Sequence, residues 1–238
     1  MLLRKAFAEL LGTLLLVATV VGSGIAASRL SPDDVGLQLL ENALVTGAVL
    51  VALILALGPV SAAFNPVVTL VERAFGVLTT AQAAVLVAAQ VVGGCLGSVL
   101  ANAMFELDPV DLSATERSSG ALWLAEVVAT FGLVVVIFGV VRSGRSAHVA
   151  YAVGAYITAA YFFTSSTSFA NPAVTIGRTL SDTFAGIAPG SVPPFVLAQV
   201  AGGALAYAAV RLLYPHADRL AAELVEMSER PTRSGDRP

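Results

Sequence analysis

Two Asn-Pro dipeptides carry the chemistry this sequence offers. Asn65-Pro66-Val67-Val68-Thr69 and Asn171-Pro172-Ala173-Val174-Thr175 repeat one pattern 106 residues apart. Asn is a favoured helix N-cap and Pro a favoured first helical residue, so each dipeptide starts a helix. The apolar run behind each is about 10 residues, roughly 15 Å of helix, or half a bilayer core of about 30 Å. A helix start presents unpaired N–H groups and about half a positive charge. Two such starts meeting at a bilayer midplane would point Asn amide N–H donors into a passage. They would also raise a positive barrier there against protons and cations. Uncharged, hydrogen-bonding solutes suit that passage. One Asn-Pro would mean only a helix start; two with matching continuations mean a paired device.

The elements that must position these segments follow from composition. The chain has 238 residues, of which 57% are apolar and 12% charged. An ordinary soluble domain carries about 25% charged residues. With a mean hydropathy of +0.84, a water-soluble single core is excluded. Six spans would consume about 120 residues, which leaves no room for a large extramembrane domain. The net charge is −3 without a basic stripe, so no nucleic-acid partner is expected. Cys95 is the sole cysteine; it cannot form an internal disulfide and reads as a small core residue. There is no metal cluster, phosphate loop or nucleophile–base pair, so neither an enzyme nor a metal or other cofactor is expected. Met1–Lys5 is basic, but the apolar run behind it is too long for a signal peptide and reads as the first span.

Apolar helical runs cover residues 6–27, 39–57, 81–105, 121–141, 149–163 and 195–213. Arg4, Lys5, Arg142, Arg145, Arg211, Arg219, Arg230, Arg233 and Arg237 fall on one side of six alternating spans. Asp33, Asp34, Glu106, Asp108, Asp111 and Glu116 fall on the other. The positive-inside rule then puts both termini in the cytoplasm, with the chain in the cell (plasma or inner) membrane and facing membrane lipid. An amphipathic piece at 218–227 is followed by an Arg/Ser/Pro-rich end at 228–238 that is expected to be disordered.

A repeat underlies the spans. Ala8-Glu9…Gly12-Thr13 returns as Ala125-Glu126…Ala129-Thr130 after 117 residues, and Ala89-Gln90…Gly93-Gly94 returns as Ala198-Gln199…Gly202-Gly203 after 109. Three spans per half is odd, so the halves are inverted in the membrane. The expected fold is all-α: six transmembrane helices plus two re-entrant half helices in an inverted 3+3 repeat. Residues 1–110 form the first repeat, 111–214 the second and 215–238 a cytoplasmic tail. Glu9 and Glu126 are intramembrane acids and so functional candidates by default. Being repeat-related, they are expected to hold the re-entrant loops by accepting backbone N–H groups, with Gln90 and Gln199 beside them. The glycines at 93–97 and 202–203 let helices cross closely. Trp123 reads as an interface anchor, and the cluster 164–168 as either a mouth lining or a turn.

Together these motifs resemble the aquaporin (major intrinsic protein) family over about residues 6–213. The resemblance implies six tilted helices, two half helices, one pore per subunit and a homotetramer, passing water and small neutral solutes. The family usually has Arg three residues after the second Asn; here Val174 stands there, with Arg178 one turn further. The His that water-selective members carry in the fifth span is absent, since His148 and His216 lie outside the spans. Ala63 or Phe64 stands where a pore-facing His is common in the first loop, and Val67 replaces the usual Ala. Aligned glycines place Thr46 at the second-span filter position. A gapless count back from Asn171 gives Ala159 and Ser168, while a two-residue shift would exchange Ala159 for Tyr161.

A filter of Thr46, Ala159, Ser168 and Val174 has no charge and mostly small side chains, so it is expected to be wider and less polar than a water filter. The resemblance extends to a bacterial branch in which Val replaces the filter Arg and which is associated with arsenic resistance. It thereby implies conduction of neutral arsenite and methylated arsenicals beside glycerol-like solutes. Three rivals stay open: a plain water or glycerol channel, a coupled secondary transporter, and a structural junction protein. A transporter needs titratable or ion-binding groups at the midplane, where this sequence places asparagines.

Overall fold

The computed structural model describes residues 1–215. The described chain folds as α1 (Leu2–Leu30), α2 (Val35–Leu57), α3 (Pro66–Ala74), α4 (Thr80–Met104), α5 (Gly120–Arg142), α6 (Val149–Phe163), α7 (Pro172–Gly177) and α8 (Val192–Leu213). Single 3-10 turns precede α6, extend α7 as Arg178–Leu180, and precede α8. No strand occurs among the described residues. His216, the amphipathic piece expected at 218–227, and Arg219, Arg230, Arg233 and Arg237 lie outside them.

The helices start where side chains can satisfy their free N–H groups. Asp34 accepts the Leu37 N–H at 2.9 Å and opens α2. Thr79 and Gln82 form a capping box at α4, and Ser119 accepts the Leu122 N–H at 3.3 Å at α5. Each cap is worth about 1 kcal/mol. Helices α1, α2, α4, α5 and the 189–213 stretch are each long and apolar enough to cross a membrane. Helix α6 occupies the span read for it, but its 15 residues make only roughly 22 Å. The remaining depth belongs to the largely buried loop at 164–170. Irregular backbone at that depth is tolerated where it is buried in protein or lines a cavity.

The face carrying Met1 and the end of α8 is called here the terminal face, and the opposite one the far face. From Asn65, α3 runs back to the terminal face; from Asn171, α7 runs on to the far face. The two half helices thus run in opposite directions, as an inverted 3+3 repeat requires. Within the halves α1 packs along α4 and α5 along α8, while α2 and α6 join one half to the other. Repeat-related glycines set the close crossings. A Cβ on Gly93 would lie 2.3 Å from the Leu10 carbonyl oxygen, and one on Gly202 would lie 2.5 Å from that of Val127. Backbone inside a helix cannot yield to such a contact.

Gly202→Val should therefore force α5 and α8 apart and destabilise the fold by about 2–3 kcal/mol, read as a lower melting temperature of the detergent-solubilised protein. Wild-type melting would show that the crossing has slack.

Candidate pore and its constriction

Each half folds the same polar device at its re-entrant loop. Glu9 Oε1 accepts the Ala63 N–H at 2.9 Å; Oε2 accepts the Phe64 N–H at 2.7 Å and a Gln90 Nε2 hydrogen at 2.8 Å. Ser61 Oγ also donates to Glu9. In the second half Glu126 accepts the Phe169 and Ala170 N–H groups, both at 2.9 Å, and a Gln199 Nε2 hydrogen at 2.6 Å. Both glutamines also donate at 2.8 Å to a half-helix hydroxyl, Gln90 to Thr69 and Gln199 to Thr175. All four acid and amide side chains are fully buried.

The asparagines cross-link the halves. Asn65 Oδ1 caps α3 through the Val67 N–H at 2.9 Å, and Asn171 Oδ1 caps α7 through Ala173 at 2.9 Å and Val174 at 3.3 Å. Asn65 Nδ2 donates to the Ala170 carbonyl at 2.8 Å, and Asn171 Nδ2 donates to the Phe64 carbonyl at 2.7 Å. The two accepting residues have positive φ, 47° at Phe64 and 49° at Ala170. Such a conformation costs a non-glycine residue about 1–3 kcal/mol. It turns each N–H to its own glutamate and each carbonyl to the opposite asparagine. One amide N–H per asparagine is therefore spent on the opposite loop.

Three cavities share lining residues in succession. That on the terminal face holds about 460 Å³, the far-face one about 180 Å³, and the chamber between them about 50 Å³. At about 50 Å³ the chamber exceeds the roughly 10–15 Å³ that one water needs. Ala63 and Val153 border both the chamber and the terminal cavity; Arg178 borders both the chamber and the far cavity. The chamber's apolar wall includes Leu16, Val20, Leu50, Leu133 and Ile157, and its polar groups include Asn65, Asn171, Thr46, Tyr161 and Ser168. Thr46 Oγ1 and the Tyr161 hydroxyl lie 3.1 Å apart, with either able to donate. Ser168 Oγ is buried without a protein partner. Arg117, from the connection before α5, borders the far cavity; burial lowers its guanidinium pKa, an effect that Glu126 and Tyr161 oppose. Among the described residues no group of three His, Cys, Asp or Glu side chains could hold a metal ion.

A family model described as major intrinsic protein matches residues 1–162. Aquaglyceroporin AqpS of Rhizobium meliloti (strain 1021) is 52% identical over 213 residues, 89% of this chain and 91% of that protein. The chain belongs to the major intrinsic protein family. The X-ray structure of the aquaglyceroporin from Plasmodium falciparum matches 92% of this chain and 100% of its own at a TM-score of 0.69. At 18% identity that likeness concerns the fold. This major intrinsic protein is a multi-pass membrane channel for water and small neutral solutes, and not an enzyme.

The channel geometry sorts the expected filter residues. Thr46, Ser168 and Val174 all border the chamber. Ala159 does not: it lies on the exposed face of α6, and Tyr161 borders the chamber instead. The gapless count falls two residues short of the chamber-lining position, the shift that exchanges Ala159 for Tyr161. The lining is also neither uncharged nor small throughout, since Tyr161 and Arg178 both reach it. Sequence spacing held the signal for Arg178: four residues past Val174 on a helix is the same face. Ala63 and Phe64 both border the chamber, and His148 sits in the turn before α6. Val67 and Ala173 sit behind their asparagines as buried first-turn residues of the half helices.

Replacing Glu126 by Leu would leave the Phe169 and Ala170 N–H groups without acceptors, at about 1–3 kcal/mol each. Melting temperatures should order wild type above Glu126→Gln, which keeps one oxygen, and Glu126→Gln above Glu126→Leu. A Leu variant melting like wild type would show that the carboxylate does not hold the loop.

Proposed function

We propose that this channel passes uncharged solutes larger than water, of which glycerol, neutral arsenite and methylated arsenicals are the chemical type. Val174 carries the reading. It borders the chamber directly beyond Asn171 on the same face of α7, and valine there leaves volume that an arginine would occupy. Thr46, Tyr161 and Ser168 supply hydroxyls around that point, and the free Ser168 Oγ suits a solute hydroxyl. As(OH)3 is a small neutral triol-like molecule near neutral pH and needs what glycerol needs. The 52% identity to a protein named an aquaglyceroporin supports the glycerol-class part.

In the same reading, residues 1–110 and 111–214 are the two inverted repeats, and both termini face the cytoplasm from the inner membrane. Lys5, Arg73, Arg142 and Arg145 gather on the terminal face, as the positive-inside rule asks. The exposed apolar side chains of the long helices, such as Leu44, Leu55, Val85 and Leu197, meet lipid and neighbouring subunits of a homotetramer.

Stopped-flow swelling of proteoliposomes without an ion gradient tests this for water, glycerol and neutral arsenite. Wild type should pass all three, and Val174→Arg should lose glycerol and arsenite by about tenfold while water falls less. Solute flux that appears only with an ion gradient would make the protein a coupled transporter. Equal solute flux in both forms would remove Val174 from the constriction.

A further inference from the structure

We infer that Arg178 is the charge-selecting residue of this pore: width is set at Val174 and cation exclusion one helical turn outward, by a guanidinium at the mouth of the chamber. The inference rests on the channel reading above and adds a second determinant to it.

Arg178 is only 2% exposed, yet it borders both the 50 Å³ chamber and the 180 Å³ far cavity. It therefore stands between them, in the wall common to both. Asn171, Val174 and Arg178 follow at i, i+3 and i+7 along α7 and the 3-10 turn that continues it, and so line one face in succession.

The side chain is held firmly. Nε donates to the Ala185 carbonyl, and the guanidinium carbon lies 3.4 Å from the centroid of the Phe169 ring. Phe169 is itself fixed by its N–H bond to Glu126 and by an edge contact with Phe195 at 5.4 Å. Arg117 lies over the same ring at 5.0 Å, and its Nε donates to the Gly186 carbonyl at 3.0 Å. The loop that Glu126 anchors thus also aims Arg178.

The charge is left unspent. No ion pair is made by Arg178 among the described residues, and its Nη1 and Nη2 atoms donate to no protein group there. A guanidinium so placed offers N–H donors to a passing hydroxyl while repelling any cation that would have to shed water to enter. A family arginine at the Val174 position would narrow the pore and repel cations with one side chain. Here the two effects fall on successive turns, so the pore can be wide and still closed to ions.

Proteoliposomes carrying an interior pH dye and a potassium diffusion potential measure proton leak alongside glycerol swelling. Wild type should pass glycerol with leak at the level of empty liposomes. Arg178→Gln should raise leak about tenfold or more, the order of effect of one unit charge several ångströms away at an effective dielectric of about 20. Arg178→Lys keeps the charge and should stay near wild type. Should Arg178→Gln not give monodisperse protein, Arg178→Met, of similar length and with no polar group to satisfy, carries the same expectation. Leak unchanged in a neutral variant that still passes glycerol overturns the role of Arg178 alone, as does Arg178→Lys leaking like Arg178→Gln. Absence of glycerol flux in wild type overturns the channel reading instead.

Discussion

Irregular backbone in the middle of a bilayer has no water to bond to, and the rest of this structure answers that constraint. Each unsatisfied N–H or C=O at such depth costs several kcal/mol. The two re-entrant loops expose several of these groups, because their last residues before Asn65 and Asn171 are not helical. The buried carboxylates of Glu9 and Glu126 take the N–H groups. The Asn65 and Asn171 amides take one carbonyl each from the opposite loop. The left-handed backbone at Phe64 and Ala170 is the conformation that lets one residue serve both partners. Its strain is offset by the bonds each residue makes to its glutamate and to the opposite asparagine.

That clamp explains the need for duplication. An asparagine at one half-helix start finds its acceptor only on the other loop, so neither half can be complete by itself. Gln90 and Gln199 extend the logic outward, tying each glutamate to a threonine of its own half helix. The glycines at 93 and 202 then let α4 and α8 approach α1 and α5 closely enough for those glutamines to reach. A side chain at any of these positions is specified twice, by its neighbour and by its repeat mate.

This double specification decides what was legible in the sequence. Helix spans, the two half-helix starts and the acid–amide pairs recur in both halves, so the repeat itself exposes them; α6 even keeps the bounds read from its apolar run. The residue that α6 turns to the chamber was not readable by counting. A gapless count back from Asn171 falls on Ala159, two residues before Tyr161, which borders the chamber. Arg178 was visible as an arginine one turn late, but its role depends on the Phe169 ring and the Ala185 carbonyl. Those partners come from a loop and a turn with no counterpart pattern in the first half, and no periodicity announces them.

The same asymmetry bears on how charge is kept out. With one N–H of each asparagine committed to the opposite loop, the midplane offers fewer free donors than two bare amides would, and the barrier there falls chiefly to the two helix dipoles. A dipole contributes about half a charge at a helix start and fades within a turn. Helix α7 has only six residues before it tightens into a 3-10 turn, so its field is that of a short element. Valine at 174 adds nothing to it. A fixed full charge at the next turn outward acts before a cation has lost its water in the far cavity, where repulsion and dehydration oppose entry together. Placing that charge on a stacked, unpaired guanidinium at the cavity junction leaves the narrow chamber free to be shaped for the solute.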